Sequence, residues 1–284
     1  MLPLDLYQGI ESAWCPGCGN FPLLKAFKQA LAELDLRPDQ ILLVSGIGQS
    51  GKFPHYLKCH TFNGIHGRTL PVATGARLAN PELKVVAVAG DGDCYGEGGN
   101  HLLATLRRNP DLTLVVHNNQ VYGLTKGQAS PTSDQGFKTL LQPEGVPYPP
   151  LHALALAVAQ DGSWVGRGFA GDPEHLTRMY KQALTHRGFA LLEVLQPCVS
   201  FNKVNTYQWY KQRVYRLEED PSYDPENELL AYQKAKEWGD KIPIGVIYRK
   251  ERPLLEASHA ALKAGPLARQ QPQRPVKELL ADFF

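Results

Sequence analysis

Two short apolar runs, residues 84–89 (KVVAVA) and 112–116 (LTLVV), each end in polar residues: Gly90-Asp91-Gly92 after the first and Asn118-Asn119 just after the second. The 25 residues between the two motifs, 93–117, leave room for one helix and the second strand. Apolar runs divided by helical stretches describe parallel strands joined by crossover helices. In such sheets ligands bind outside the carboxyl ends of neighbouring strands, so an acid at one end and an amide at the next face a common crevice. One carboxylate oxygen, one amide oxygen and one main-chain carbonyl can hold Mg²⁺, which keeps water and takes its other ligands from a diphosphate. Glycines let the main chain approach phosphates, and the helix after the loop offers its N–H groups. Gly-Asp-Gly alone reads equally well as a turn before a helix. The paired asparagines after the next strand favour the phosphate site.

The rest of the chain extends this pattern. Phe21, Leu24, Phe27, Leu31 and Leu34 recur at helical spacing and predict a helix over 21–35. Residues 41–44 form a short strand ending in the loop 45–51 (SGIGQSG), and further helices are expected over 97–108 and 151–160. Asp172-Pro173-Glu174 opens another helix, and 190–195 is a strand. The fold class is α/β, a mostly parallel sheet with helices on both faces. Residues 1–205 form the ligand-binding domain. From 206 the texture changes to a C-terminal extension, rich in charge and tyrosine over 217–240 and mostly irregular over 262–284, which wraps a partner subunit or is disordered.

Composition narrows the classes. With 43% apolar and 20% charged residues the chain has a sizeable core, and 30 basic against 28 acidic residues give a net charge of +2. That balance disfavours nucleic acid or a membrane surface as main partner. The N-terminus lacks the pattern of a secretory signal, and no run approaches the roughly 18 apolar residues of a membrane span. A soluble, cytoplasmic protein is expected. Five cysteines in such a chain favour free thiols or metal ligands over disulfides. Cys15-Pro16-Gly17-Cys18 could be half a zinc site, a redox pair or half an iron–sulfur site. No strand precedes it, as a thioredoxin-like pair requires, and no second CxxC completes a standard zinc site. Cys198, at the end of the strand 190–195, could converge on the same crevice.

The Asp91 and Asn119 motif resembles the thiamine diphosphate-binding motif. The resemblance implies Asp91, Asn119 and the carbonyl of Val121 as Mg²⁺ ligands, with Gly90 and Gly92 shaping the loop against the diphosphate. A wider ordered set, WCPGCG at 14–19, GIGQSGK at 46–52, HGR at 66–68, GDGD at 90–93, NN at 118–119, YGLTKGQ at 122–128 and LQPC at 195–198, resembles the β subunit of 2-oxoacid:ferredoxin oxidoreductases over about residues 10–210. This places Gly46, Ile47, Gly48, His66, Asp93, Gly123 and Leu124 with the motif residues around the coenzyme. It also implies a [4Fe–4S] cluster on Cys15, Cys18 and Cys198. Many relatives carry the fourth cysteine where this chain has Gln49, so Cys59 is the expected substitute; Cys94 is expected beside the coenzyme or as a small buried residue.

The implied activity is coenzyme A-dependent oxidative decarboxylation of a 2-oxoacid, with electrons passed through the cluster to ferredoxin, or the reverse carboxylation. The coenzyme is the electron sink. The carboxylate beside its aminopyrimidine is expected from an α subunit in an (αβ)₂ assembly, so Glu97 reads as a first-turn helix carboxylate. Leu124-Thr125-Lys126 resembles relatives acting on 2-oxoglutarate, with Lys126, or Lys52 as second candidate, pairing with the distal carboxylate. Arg68 is a candidate diphosphate or partner contact. A cluster-free thiamine enzyme, a pyruvate or broad-range oxidoreductase, and a non-catalytic subunit keeping the fold are the competing readings.

Overall fold

The computed structural model describes residues 1–270 and 274–283, so 271–273 and 284 of the expected tail lie outside the described residues. The described residues form ten strands: β1 (Ile41–Ser45), β2 (His60–Asn63), β3 (Lys84–Gly90), β4 (Thr113–Asn118), β5 (Val121–Tyr122), β6 (Gln128–Ala129), β7 (Trp164–Phe169), β8 (Ala190–Leu195), β9 (Val214–Arg216) and β10 (Ile242–Arg249). Eight form one sheet in the order β2-β1-β3-β4-β8-β7-β10-β9, while β5 and β6 make a small hairpin. Every neighbouring pair in the large sheet is parallel except β7 with β10.

Alternation along the strands sends side chains to two cores. Val86 and Val88 of β3 pack on the face covered by α1 (Asn20–Glu33) and α5 (Pro173–Thr185), which also pack on each other. Val85, Ala87 and Ala89 face the other side, with α2 (Thr69–Ala79), α3 (Gly99–Arg108) and α4 (Ala153–Ala159). Each fully buried Val or Leu contributes roughly 1.5–3 kcal/mol, and burial on both faces is why these strands read as continuous apolar runs.

The chain path locates the crevice. From β1 it steps outward to β2, returns past β1 to β3, and continues in that direction to β4. The reversal falls between β1 and β3, whose carboxyl ends carry Gly46 and Asp91.

Several elements fall within a few residues of the sequence expectation: α1, β1, β3, β4, α4, α5 and β8. Asp172 caps α5, its carboxylate accepting the His175 N–H. The helix expected over 97–108 differs at its start: residues Gly92–Glu97 form a π-helical turn, and α3 begins after Gly98. The region from 206 is no separate extension at first, because β9 and β10 join the main sheet and α7 (Glu228–Lys236) packs on α4. After Arg249 the chain continues in short 3₁₀ turns, Leu255–Ser258, Ala260–Ala264 and Leu267–Arg269, and a short helix over Val276–Leu280. There the chain lies against itself: Arg77 Nε is 2.7 Å from Glu256 and its Nη2 2.9 Å from Asp111. Among the described residues no helix is long and apolar enough to cross a membrane.

Candidate functional site

A cleft of about 520 Å³ opens at the carboxyl ends of β1, β3 and β4, lined by residues of the 47–50, 90–93 and 119–125 loops with His66, His117 and Gln196. Asp91 follows β3 and its residue is 1% exposed. Its Oδ2 accepts hydrogen bonds from Ser130 Oγ (2.5 Å) and Thr132 Oγ1 (2.6 Å). Burial still pushes the carboxyl up to about 6, the expected result when desolvation outweighs two hydroxyl donors. A cation beside it would reverse that shift.

The two asparagines divide their work. Asn118 is buried, 2.8 Å from Thr132 Oγ1, and donates from Nδ2 to Glu193 Oε2 at 3.1 Å. Asn119 lines the cleft, and its Oδ1 accepts the Val121 N–H at 3.0 Å. Below them, Glu193 accepts from Arg167 Nε (2.9 Å) and the Tyr95 hydroxyl (3.1 Å) in a fully buried pair. A chain of contacts therefore runs from Arg167 through Glu193, Asn118 and Thr132 to Asp91.

Asp93 binds two loops together. It accepts the Gly67 N–H (2.8 Å), the Ile47 N–H (3.3 Å) and the Thr69 hydroxyl (3.3 Å), and His66 Nδ1 lies 2.7 Å from it. A Cβ on Gly46 would stand 1.8 Å from Asp93 Oδ2, and one on Gly92 2.3 Å from the Tyr122 ring. Those two glycines are demanded by packing around the cleft.

A second, smaller cavity shares Gln49, Asn119, Gly123 and Gln196 with the cleft and is lined by Cys15, Cys18 and Cys198. Cys15-Pro16-Gly17-Cys18 forms a tight turn, with Gly17 at φ +80° and the Cys18 N–H donating to Cys15 O at 2.9 Å. Proline and glycine at the two central positions suit a type II turn. Trp14 Nε1 donates to Gln49 O at 3.0 Å, tying this turn to the loop after β1. Burial, helped by the neighbouring thiols, raises Cys18 to about 11. A Cβ on Gly123 would lie 3.9 Å from both Cys198 Sγ and Gln49 Cγ.

Cys59 does not join the three. It precedes β2, whose His60 pairs with Leu42 near the start of β1, and it packs against the core beneath α1. The cleft lies at the far end of β1, roughly 13 Å along the strand. Burial pushes this thiol up to about 12. Cys94 is buried in the opposite core and does not line the cleft.

Of the expected substrate residues, Leu124 lines the cleft. Lys126 is exposed at φ +83° beside Thr125, which does line it, and Lys52 is half-buried in the 3₁₀ turn Ser50–Tyr56; neither lysine is in the lining. Arg68 Nη1 lies 2.7 Å from His101 Nε2, away from the lining. Glu97 stands partly exposed, 3.3 Å from the Tyr122 hydroxyl. Among the described residues no lysine or arginine lines the cleft. A diphosphate there requires a counter-charge, and the buried Asp91 carboxylate beside the Asn119 amide is an oxygen-donor set suited to Mg²⁺. Glycine-lined walls and this donor set fit a cation-bridged diphosphate.

Four residues of the site were not read from the sequence: Ser130 and Thr132, which hold Asp91, His117 in the cleft lining, and Gln196 in the wall between the cavities. The hydroxyl-rich segment 130–133 (SPTS) was the available signal for the first two. His117 Nδ1 lies 2.7 Å from Asn20 Oδ1, which can only accept, so the hydrogen sits on Nδ1 and Nε2 holds the lone pair. Burial lowers this imidazole to about 3, which keeps it neutral.

Comparison with known proteins adds to this geometry. Residues 46–194 match the family model for the thiamine pyrophosphate enzyme, C-terminal TPP-binding domain. Residues 198–264 match the model for the C-terminal region of the pyruvate ferredoxin oxidoreductase β chain. The chain is 47% identical over 252 residues to the 2-oxoacid:ferredoxin oxidoreductase subunit beta of Saccharolobus solfataricus, covering 84% of this chain and 82% of that one. It is 46% identical over 198 residues to the 2-oxoglutarate oxidoreductase subunit KorB of Mycobacterium tuberculosis, covering 70% of this chain and 53% of that one. A solved 2-oxoglutarate:ferredoxin oxidoreductase from Magnetococcus marinus, with 2-oxoglutarate, coenzyme A and succinyl-CoA bound, superposes with a TM-score of 0.90 at 32% identity, covering 99% of this chain and 95% of that chain.

Proposed function

The chain belongs to the β subunits of the 2-oxoacid:ferredoxin oxidoreductases, and on that premise we propose that it carries the thiamine diphosphate and Mg²⁺ site of an enzyme oxidising 2-oxoglutarate to succinyl-CoA. As a β subunit it works with an α partner, which supplies the carboxylate for the aminopyrimidine in an (αβ)₂ assembly. One observation carries the coenzyme assignment: Asp91 and Asn119 end neighbouring parallel strands at a cleft whose lining offers a diphosphate no cationic side chain among the described residues.

Bound in the cleft, thiamine diphosphate supplies the electron sink for decarboxylation of a 2-oxoacid. The residues of this chain hold and orient it. Asp91, Asn119 and the Val121 carbonyl take the metal, Ser130 and Thr132 fix the Asp91 carboxylate, and the loops at 46–48 and 90–92 bring main chain to the phosphates. Cys15, Cys18 and Cys198 are the thiols of this chain that could face an iron–sulfur cluster next to the cleft, although among the described residues no group of three or more His, Cys, Asp or Glu side chains is placed to hold a metal. With Cys59 at the opposite end of the sheet, the fourth ligand of a [4Fe–4S] cluster does not come from a cysteine of this chain. Ferredoxin takes the electrons and coenzyme A the acyl group.

The preference for 2-oxoglutarate is assigned to the segment 124–126. Leu124 and Thr125 form the wall, and the free ammonium of Lys126, beside them, pairs with a distal carboxylate that pyruvate lacks. Lys52 is the second candidate. The test is anaerobic purification with the α partner and coenzyme A-dependent dye reduction on a panel of 2-oxoacids. Turnover fastest on 2-oxoglutarate and dependent on added Mg²⁺ and coenzyme is expected. Turnover on pyruvate alone refutes the substrate assignment, and a complex that binds no thiamine diphosphate refutes the whole reading.

A further inference from the structure

Between β6 and α4 the chain makes a narrow hairpin over residues 136–146. Its neck is closed by hydrogen bonds: the Gly136 N–H donates to Val146 O at 2.8 Å, and the Val146 N–H to Phe137 O at 3.0 Å. Gly136 and Gly145 stand at φ +82° and +95°, and a Cβ on Gly145 would fall 2.6 Å from Gly136 O, so the neck closes only around glycine. The tip is ordered by its own groups, with Thr139 Oγ1 accepting the Leu141 N–H at 3.2 Å and the Gln142 N–H at 3.0 Å. That order serves no core. Leu140 is 95% and Leu141 70% exposed, while Val146 in the neck is buried. A single exposed leucine needs no explanation, whereas two adjacent ones held out on a hydrogen-bonded tip mark a surface made to be covered.

The root of the hairpin points to what covers it. The segment leading in carries Ser130 and Thr132, whose hydroxyls hold Asp91. Asp134 accepts from Gln120 Nε2 (3.2 Å), Trp238 Nε1 (2.9 Å) and Asn205 Nδ2 (2.9 Å), and Gln120 directly follows the cleft residue Asn119. The hairpin is therefore rooted at the end of the sheet where the cleft opens, the end an α subunit must reach to place its carboxylate beside the coenzyme. We propose that residues 136–146 are a docking prong for the α subunit, with Leu140 and Leu141 seated in an apolar recess of that subunit. The proposal rests on the reading of this chain as a β subunit whose cleft its partner completes. Lys138 and Glu144 are the only charged residues of the prong and they cancel, so the seat is apolar and the contact insensitive to salt. A tip already fixed by hydrogen bonds gives up little loop freedom on docking.

The test is the association of the copurified complex, followed by sedimentation over a dilution series at low and high salt. Leu140→Ser combined with Leu141→Ser should weaken the hold on the α subunit about tenfold or more at both salt levels. Leu229→Ser, at a leucine 67% exposed on α7, should leave it unchanged. Matching unfolding curves check that each variant is folded, and Leu140→Ser alone carries the test if the double variant does not accumulate. A photo-cross-linking phenylalanine analogue in place of Leu140 should be captured on the α subunit. Wild-type association in the double variant, or equal weakening by Leu229→Ser, overturns the prong. Capture on a second copy of this chain, or on nothing, overturns the choice of partner and the proposal with it. Thiamine diphosphate binding by the wild-type complex reads the coenzyme assignment separately. A wild-type chain that copurifies with no α subunit overturns the partner-completed cleft and the prong together.

Discussion

The cleft and the thiol cavity share a wall yet are built in opposite ways. At the cleft the carboxylates are already matched: Asp91 accepts two hydroxyls, Asp93 gathers two loops, and behind them Asn118 is held by Glu193. In the thiol cavity, three cysteines are free thiols, and in the wall it shares with the cleft the side-chain oxygens of Gln49 and Gln196 are buried without partners. Buried polar atoms without partners are costly and uncommon. The difference separates carboxylates pre-organised by their own hydrogen bonds from a shared wall whose amide oxygens have no partner within the described residues.

The largest effect should come from breaking the pre-organised side at its metal ligand. Asp91→Ala is expected to weaken Mg²⁺-dependent thiamine diphosphate binding by about 100-fold or more, with the circular dichroism spectrum unchanged. Calorimetric titration of the coenzyme measures this, and wild-type affinity in the variant would remove Asp91 from the site. On the other side, Cys198→Ser should lower bound iron about tenfold while Cys59→Ser leaves it at the wild-type level. Equal iron loss in the two variants would place Cys59 back among the ligands.

A smaller effect is expected beneath the cleft. Glu193→Gln leaves the Arg167 guanidinium buried without its counter-charge, which should cost about 3 kcal/mol in denaturant unfolding and about tenfold in coenzyme affinity. Loss of stability with unchanged affinity would confine Glu193 to the core. His117, in the cleft lining, gives a pH-dependent signature. Its folded pKa is lowered to about 3 from 6.5, so the stabilising contribution of the neutral ring is present above pH 6.5 and is lost as pH falls toward 3. His117→Gln should flatten that part of the acid unfolding curve, and an unaltered curve would contradict the buried neutral ring. The smallest effect falls on selectivity: Lys126→Ala should lower turnover of 2-oxoglutarate about tenfold more than that of pyruvate. Equal losses on both would free Lys126 of any substrate role.

The same contrast explains what could be read in the sequence. Gly90-Asp91-Gly92 and Asn118-Asn119 are contiguous motifs at the ends of apolar strands, so local pattern fixes both their type and their position in the sheet. Cys15, Cys18 and Cys198 converge from segments some 180 residues apart, and only the strand order brings them together. Cys59 shows the limit of that reading. Ten residues after Gln49 it looked close, but the turn Ser50–Tyr56 carries the chain back to the opposite end of the sheet before β2 begins. Strand β10 escaped notice because Pro243 and Gly245 interrupt its apolar run, although the strand pairs with β7 and β9. Glu193 and Gln196 lie in or just after a well-predicted strand, but nothing in a linear pattern tells which buried polar residue meets which.

The most direct measurement is an anomalous-difference map of the complex crystallised with thiamine diphosphate and Mn²⁺ in place of Mg²⁺. A single manganese peak between the Asp91 carboxylate and the Asn119 amide, bridged to both phosphates, is the expected result. A coenzyme seated in the cleft with the manganese elsewhere, or with none bound, would contradict the metal clamp on which the reading of this cleft depends.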